Sequence, residues 1–398
     1  MLADYIEHIH LTSLYILSIS LPISLAGASV WWLATRRGKI ALAMLFSMLF
    51  FSLLDLAMFR SMPYLGLSFG PSNTSVTVVT LVRGLMTVGG ATVLIGYLGL
   101  RYLWNPNTVP RRSSALYWTV PVLFNLVVTG CLVDGLYFEP LAIQVQQVNV
   151  ASDRLADTTA PLRIVQLSDT HVERLTRRER DTIRLVNDLH PDLIVLTGDY
   201  LNLSYLYDKQ SRTDFRYLIS QLKARYGIYA SWGSVDRPDF RDSLFEGLGV
   251  TVLKDAWTTV RVNGQDINLL GIDLRHELKM DTRAFRELAQ ELPGDGFNIL
   301  LYHTPDLMPA AVASNKIDLY LAGHTHGGQI RLPIYGAIVT ASAWGKRYEA
   351  GYYHDGRTTL YVNRGLGFEG GDAPRIRFLC PPEIATFTLA PSGQATRE

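Results

Sequence analysis

Three clusters of carboxylate and imidazole side chains each follow a short run of apolar, largely β-branched residues. The clusters are Asp169-Thr170-His171, Gly198-Asp199 and Gly323-His324-Thr325-His326-Gly327-Gly328. Apolar runs of this kind are typical of buried strands, and ligand-binding groups collect at the carboxyl ends of strands in open α/β sheets. Because carboxylates and imidazoles are common ligands of divalent metals, this order predicts a two-metal hydrolytic site at one sheet edge.

The Gly-His-x-His-Gly-Gly cluster is the most specific of the three. Its glycines let the backbone turn and approach a ligand closely, and its two imidazoles, two residues apart, can share a metal site. Asp-x-His and Gly-Asp are weaker signals when taken alone, because such motifs are often structural and mark only turns. The ordered set of all three, each after an apolar strand, favours a functional interpretation over a structural coincidence.

The composition divides the chain into a membrane-like first third and a soluble remainder. Residues 1–134 hold only eight of the 37 Lys and Arg residues and four of the 36 Asp and Glu residues. Four apolar stretches in this part are each long enough to span a bilayer, which needs about 20 residues. They cover residues 11–34, 40–59, 76–100 and 115–136. We therefore expect residues 1–136 to form a four-helix transmembrane anchor embedded in the lipid bilayer.

The charges of the loops predict the orientation of this anchor. Basic residues concentrate in the first and third loops, at Arg36, Arg37, Lys39, Arg101, Arg111 and Arg112. The positive-inside rule places those loops in the cytoplasm and everything after residue 136 outside it. The prediction is a multi-pass protein of the cell (inner) membrane with a periplasmic or extracytoplasmic soluble domain.

Two ionisable residues, Asp55 and Arg83, lie in or near the predicted spans, where a functional role is the default hypothesis. We expect instead that Arg83 extends to the membrane surface and that Asp55 lies close to a span end. The net charge of +1 gives no indication of a nucleic-acid partner. Cys131 and Cys380 lie in different halves of the chain, so we expect no disulfide between them.

Beyond the anchor we predict a linker at 137–161, a folded domain at 162–391 and a disordered tail at 392–398. Strand and helix signals alternate in the domain, which indicates a parallel-rich sheet covered by helices. Closely spaced strands between 250 and 272 indicate a second, antiparallel-rich sheet. Thr176 and Glu179 form a capping-box pattern that predicts a helix over 176–189. The expected class is α/β, with two packed sheets and flanking helices.

Six segments of the soluble part resemble the calcineurin-like metallophosphoesterase family and, within it, the membrane-anchored bacterial branch. They are IVQLSDTH (164–171), LIVLTGD (193–199), YHTPD (302–306), LAGHTHGGQ (321–329), NRGLG (363–367) and RFLCPPEI (377–384). The resemblance covers about residues 160–390. It implies a calcineurin-like two-sheet β-sandwich flanked by helices, with a dinuclear metal site at the strand ends, and it says nothing about the four spans. Together with the spans predicted from composition, the expected fold is α/β: four transmembrane helices followed by this sandwich.

The resemblance also implies the ligands of two divalent metal ions of the Mn, Fe, Zn or Mg type. One ion would be held by Asp169, His171, Asp199 and His326, and the second would share Asp199 and use His303 and His324. The implied reaction is hydrolysis of a phosphomonoester or phosphodiester by a metal-bridging hydroxide, with Asp199 and His324 counted among the catalytic residues.

One motif departs from the family pattern. The family's Gly-Asn-His-Asp/Glu stands here as Gly233-Ser234-Val235-Asp236. Ser234 is a poorer metal ligand than the asparagine amide and would reach the second metal through water, and Val235 cannot donate a proton to a leaving group. General acid help is worth roughly 10²–10⁴-fold, so a slow enzyme is expected. His276 and Arg237 are candidate replacements, the alternative being that both are ordinary surface residues.

The leading hypothesis is a membrane-anchored, metal-dependent phosphoesterase that acts on envelope or lipid-linked phosphates. The alternative, favoured by Ser234 and Val235, is a catalytically weak or silent metal-binding module of the envelope. A transporter with a regulatory domain is disfavoured, because the four spans offer few interior polar groups to line a path.

Overall fold

The structure is a computed structural model that describes residues 19–33, 38–70, 73–104, 114–156, 161–262, 264–369, 371 and 373–392. The described residues form two compact units. The helical unit lies within 1–65, 71–136 and 372–375, and the sandwich unit lies within 66–70, 137–371 and 376–398. Several predictions fall outside the described residues: the start of the first span, Arg36, Arg37, Arg111, Arg112, residues 157–160 of the linker and residues 393–398 of the tail.

The helical unit consists of long apolar helices. They are α1 (Ile19–Leu33), α2 (Gly38–Ser61), α3 (Asn73–Trp104) and α4 (Ser114–Val133). Within the described residues, two segments are long and apolar enough to cross a membrane, Ala41–Ser61 and Pro121–Leu141. The segments Ile19–Leu33 and Thr74–Gly90 are apolar over shorter lengths. Two of the four expected spans therefore meet this criterion of length and composition, and the four-span arrangement stays a prediction.

A buried ion pair joins three of these helices. The Arg83 guanidinium donates to both carboxylate oxygens of Asp55 at 2.7 Å, to the carbonyl and side-chain oxygens of Asn125 at 2.8 and 3.0 Å, and to the Thr129 hydroxyl at 2.8 Å. Arg83 is only 3% exposed and Asp55 is fully buried. The expectation that Arg83 extends to the membrane surface is wrong, because the neighbouring helices supply partners for its donors.

The sandwich unit contains two mixed six-stranded sheets. The first has the order β1-β14-β2-β3-β4-β5 and the second has the order β12-β13-β9-β8-β7-β6. The first sheet comprises β1 (Gln144–Ser152), β2 (Leu162–Leu167), β3 (Leu193–Leu196), β4 (Ile228–Ala230), β5 (Val250–Val252) and β14 (Glu383–Pro391). The second comprises β6 (Ala256–Val262), β7 (Gln265–Gly271), β8 (Phe297–Leu301), β9 (Leu319–Ala322), β12 (Gly351–Asp355) and β13 (Thr358–Val362). A small hairpin pairs β10 (Arg331–Leu332) with β11 (Gly336–Ala337).

Alternate side chains of the strands build separate cores on the two faces of each sheet. Leu193 and Val195 of β3 face the core between the sheets, whereas Ile194 and Leu196 face the helix layer. That layer contains α5 (Arg177–Asp188), α6 (Lys209–Ser220) and α7 (Arg241–Phe245). The outer face of the second sheet packs against α8 (Leu278–Glu291) and α9 (Met308–Ser314). The result is a helix–sheet–sheet–helix sandwich, as the α/β prediction required.

Three local expectations can be compared with this fold. The capping box of α5 is confirmed, since Thr176 and Glu179 make both of its reciprocal bonds. The expectation of an antiparallel-rich second sheet was wrong: β5 pairs parallel with β4 in the first sheet, and the pairings of β7 with β8, β8 with β9 and β9 with β13 are parallel. The predicted linker contains β1, which pairs parallel with β14 along nine residues. This edge strand is rich in Gln and Asn, and we interpreted that polar composition as typical of a linker.

Candidate metal centre

Four parallel strands deliver the six residues expected to bind metal. Asp169 follows β2, Asp199 follows β3, His303 follows β8, and the His324-to-His326 segment follows β9. Just beyond the strands the backbone turns sharply, and several of these residues adopt positive φ values that are unfavourable for side chains other than glycine. They are Asp169 (48°), His171 (39°), Asp199 (57°), His324 (67°) and His326 (50°). Such strain, repeated across one cluster, is typical of a functional site.

The first group of ligand atoms contains Asp169, His171 and His326. All three residues are buried, and their donor atoms lie within 4.8 Å of one another. Nε2 of His171 lies 3.1 Å from Nε2 of His326, which in turn lies 3.4 Å from Asp169 Oδ1. With a proton on Nδ1 of each ring, the two facing Nε2 atoms and the carboxylate oxygen can direct their lone pairs at one point. That arrangement fits a cation.

The second group contains Asp199, His303 and His324. His303 Nε2 lies 3.1 Å from Asp199 Oδ2 and 3.2 Å from Nδ1 of His324. The same Asp199 oxygen lies 3.7 Å from Nε2 of His171, which belongs to the first group. One carboxylate oxygen therefore stands between the two groups, in the position that a bridging ligand requires.

Hydrogen bonding fixes how His303 presents its ring. Its Nδ1 lies 2.7 Å from the carbonyl oxygen of Thr197, and a carbonyl can only accept, so Nδ1 carries the proton. Nε2 then presents its lone pair to the Asp199 carboxylate unless a proton or a cation lies between them. Burial alone would lower the pKa of His303, but the Asp199 and Asp169 carboxylates raise it to about 10. In the metal-free protein a protonated imidazole thus supplies positive charge that a metal would otherwise bring.

The pKa values of two imidazoles and of Asp199 are shifted in ways that suit a cation, whereas burial and the Asp199 carboxylate raise the pKa of Asp169 to about 6. Burial and the neighbouring His303 lower the pKa of His324 to about 3, and burial and His171 hold the pKa of His326 well below its ordinary value. Burial would raise the pKa of Asp199, but facing imidazoles, above all His303, hold it well below its usual range. These two imidazoles are therefore neutral and Asp199 is ionised, which are the protonation states of metal ligands.

The Gly233-to-Asp236 segment, where the sequence differs from the family pattern, forms a loop that positions Asp199. The Ser234 hydroxyl donates to Asp199 Oδ2 at 2.8 Å and the Val235 amide donates to Oδ1 at 2.8 Å. The Asp236 carboxylate accepts from the amides of Gly233, Asp199 and Tyr200 at 2.7, 2.9 and 3.1 Å. A Cβ at position 233 would lie 2.3 Å from Asp199 Oδ1, so only glycine fits. The loop therefore orients the carboxylate that stands between the two groups.

Val235 takes no part in the centre through its side chain. It is only 8% exposed and belongs to the apolar core between the first sheet and its helices. Ser234 touches Asp199, and its expected water-mediated contact with a metal stays a prediction. The position where the family has a proton donor is thus occupied by a core residue.

His276, one of the two candidate replacements, lies beside this loop. Its Nε2 donates to the Ser234 carbonyl at 3.0 Å, and it is close enough to contribute to the lowered pKa of His324. Its segment is held in place by the pairing of Arg241 with both oxygens of Asp273 at 2.9 and 3.0 Å. Arg237, the other candidate, is exposed, and its carbonyl accepts from the first turn of α7. The structure therefore brings His276, rather than Arg237, to the centre.

Glu369 was missed by the sequence reasoning. Its Oε2 lies 3.5 Å from Nε2 of His326, and its carboxylate forms a third group of close donor atoms with His171 and Asp199. It lies in the loop after β13 and not directly at the end of a strand, so a search for polar residues at strand ends could not find it. The neighbouring NRGLG segment was the available signal, because Leu366 donates to the Ser168 carbonyl and Gly367 to the Asp169 carbonyl.

The fold and the two adjacent ligand groups define a sandwich protein with a candidate dinuclear centre. The profile of the family "Calcineurin-like phosphoesterase" matches residues 162–328. The uncharacterized metallophosphoesterase YkuE of Bacillus subtilis is 33% identical over 282 residues, which cover 67% of this chain and 94% of that protein. The phosphodiesterase YaeI of Escherichia coli is 30% identical over 244 residues, which cover 58% of this chain and 84% of that protein. The chain belongs to the calcineurin-like phosphoesterase family.

Proposed function

We propose that the chain is a metal-dependent phosphoesterase that hydrolyses phosphate esters at the centre formed by the two ligand groups. The observation that carries this proposal is the position of Asp199 Oδ2, 3.1 Å from His303 Nε2 and 3.7 Å from His171 Nε2. A buried, ionised oxygen between two sets of metal ligands has little structural value without cations. The family supports a phosphoesterase, and the name of YaeI favours phosphodiesters as substrates.

Two divalent cations of the Mn, Fe, Zn or Mg type would supply positive charge to the phosphoryl oxygens and lower the pKa of a water molecule. Asp169, His171 and His326 would hold one cation, His303 and His324 would hold the other, and Asp199 would contact both. The remaining residues act by orientation. The Thr197 carbonyl fixes the ring of His303, and the Gly233-to-Asp236 loop fixes the carboxylate of Asp199.

His276 is our candidate for the group that protonates the leaving alkoxide. It lies at the exposed side of the second ligand group and carries an Nε2–H that is now donated to the Ser234 carbonyl. Neither Ser234 nor the core residue Val235 offers a comparable acid. An ester with a good leaving group, such as a nitrophenolate, needs no acid and should be hydrolysed even without this histidine.

We further propose that the helical unit anchors the enzyme in the cell membrane, with the sandwich unit outside the cytoplasm. The supporting observations are the apolar helices and the basic first and third loops. An anchored enzyme would act on envelope or lipid-linked phosphates. A reporter fused to the C-terminus tests the orientation, because activity of a cytoplasm-only reporter at this position would contradict it.

A catalytically silent metal-binding module is the second candidate, favoured by Ser234 and Val235. Hydrolysis of bis(p-nitrophenyl) phosphate by the full chain with Mn²⁺ separates the two. The comparison is between the wild type, Asp199→Ala and the control Asp266→Ala, which removes an exposed carboxylate at the ion pair with Arg261. The proposal expects activity in the wild type and the control and none in Asp199→Ala. Equal rates in all three would refute it.

A further inference from the structure

The hairpin that follows the metal motif is fixed directly to it. We call residues 331–347, which include β10 and β11, the exposed hairpin. A Cβ at Gly328 would lie 2.5 Å from Cβ of Ala337 and 2.8 Å from the Val339 carbonyl oxygen. The Arg331 guanidinium donates to the Gly327 carbonyl at 2.8 Å. Because Gly327 and Gly328 follow His326 directly, the exposed hairpin is held next to the first ligand group.

The exposed hairpin carries an unusual run of solvent-facing apolar side chains. They are Leu332 (47% exposed), Ile334 (109%), Tyr335 (58%), Ile338 (50%), Val339 (73%) and Trp344 (41%). Single exposed apolar residues are ordinary on protein surfaces, but a contiguous group marks an interaction surface. Ile334 adopts φ 68°, a genuine outlier for a β-branched residue, in a conformation that leaves its side chain fully exposed. The strain and the exposure together indicate a surface that contacts something apolar.

The charges of the exposed hairpin indicate what that partner is. From Arg331 to Glu349 the sequence contains three basic residues, Arg331, Lys346 and Arg347, and one acidic residue, Glu349, so the net charge of this stretch is +2. The Glu349 carboxylate pairs with Arg331 at 2.8 Å and with Lys346 at 3.5 Å. Lys346 Nζ lies 3.6 Å from the centre of the Tyr335 ring and donates to the Ala337 carbonyl at 2.9 Å. An apolar tip with tyrosine, tryptophan and basic side chains around it is the composition of segments that lie at the interface of an anionic bilayer.

We propose that the exposed hairpin inserts its apolar tip, led by Ile334, into the interfacial layer of a bilayer that contains anionic lipids. The same chain contains two helical segments long and apolar enough to cross a membrane, and a bilayer is therefore the apolar partner that we propose. Because the exposed hairpin is held next to the first ligand group, insertion would bring that group close to the lipid head groups. Insertion would also give the enzyme a preference for lipid-linked phosphate esters over soluble ones, and this consequence rests on the proposed function.

Contact with the bilayer is tested independently of catalysis by an environment-sensitive nitrobenzoxadiazole label at Ile334→Cys. The full chain, in a Cys131→Ser background that retains the fully buried Cys380, is reconstituted in phosphatidylethanolamine–phosphatidylglycerol nanodiscs. The control label is at Tyr217→Cys, on α6, where the side chain is 47% exposed. The proposal expects quenching by bromolipids at position 334 and quenching by aqueous iodide at position 217. Iodide quenching at both positions overturns it, and so does protection of position 334 from both quenchers, which would indicate a protein partner or a second copy.

The consequence for the substrate is tested with two esters that share one leaving group. They are soluble bis(p-nitrophenyl) phosphate and hexadecyl p-nitrophenyl phosphate presented in the same lipids. Ile334→Asn should lower kcat/KM for the hexadecyl ester by about ten-fold, because the variant loses the free energy gained when one isoleucine side chain is buried in the bilayer. The rate for the soluble ester should be unchanged. The control Tyr217→Asn should change neither rate. Equal effects of Ile334→Asn on both esters overturn the proposal, whereas inactivity toward both esters contradicts the proposed function and leaves the label experiment to decide bilayer contact.

Discussion

Replacing Asp236 with alanine should release the loop that orients Asp199. The Asp236 carboxylate is 4% exposed and accepts three backbone amides, from Gly233, Asp199 and Tyr200, at 2.7 to 3.1 Å. A buried donor left without a partner costs about 1–3 kcal/mol, so three donors cost roughly 3–9 kcal/mol. Burial and the Asp199 carboxylate raise the pKa of Asp236 to about 6, so its ionised form is itself costly. Removing that cost offsets part of the loss, and we expect a net local destabilisation of about 3–4 kcal/mol.

Hydrogen exchange followed by mass spectrometry measures this loss at the amides concerned. With a chelator present, peptides containing Asp199, Tyr200 and Gly233 should lose about 10²–10³-fold of their protection in Asp236→Ala. Asp236→Asn keeps one acceptor oxygen and should lose much less. Peptides from β8 should be unchanged in both variants. If the amides of Asp236→Ala exchange at the wild-type rate, the Gly233-to-Asp236 loop does not depend on this carboxylate.

Three further predictions concern other parts of the chain. His276→Ala should slow hydrolysis of an alkyl phosphodiester by about 10²-fold and that of bis(p-nitrophenyl) phosphate by less than about three-fold; an equal effect on both would exclude a role in leaving-group protonation. Glu369→Gln should weaken the binding of one Mn²⁺ equivalent by about ten-fold in titration calorimetry, and unchanged affinity would show that this carboxylate does not act on the metal. Arg83→Ala should destabilise the helical unit by about 3–5 kcal/mol, measured by denaturant titration in detergent micelles, whereas Arg83→Met with Asp55→Leu should cost much less; a double variant as unstable as the single one would contradict a penalty from the unpaired Asp55.

Part of the candidate metal centre could be predicted from the sequence because it follows a topological rule. Asp169, Asp199 and His324 each follow a buried parallel strand, and such strands are visible as short apolar runs. His303 was predicted only through the resemblance of its YHTPD segment to the family, although it too follows a buried parallel strand. The capping box at Thr176 was equally local and is present as expected. Features determined by neighbours in sequence, or by strand direction, could therefore be predicted.

Features that depend on long-range pairing could not be predicted in the same way. The partner of Arg83 is Asp55, 28 residues away on another helix, and nothing in either segment indicates the pair. His276 approaches Ser234 through a loop held by ion pairs between distant segments. Glu369 reaches His326 from a loop, and the polar composition of β1 concealed an edge strand that only β14 completes. In each case the information lies in the partner rather than in the local pattern.

The dinuclear centre is tested by a titration that records Mn²⁺ bound per chain together with turnover of bis(p-nitrophenyl) phosphate. We expect two tight equivalents in the wild type, with hydrolysis appearing only as the second binds. Asp199→Ala should lose both the second equivalent and the activity. Two bound equivalents in folded protein without hydrolysis would contradict the account and establish a silent metal-binding module.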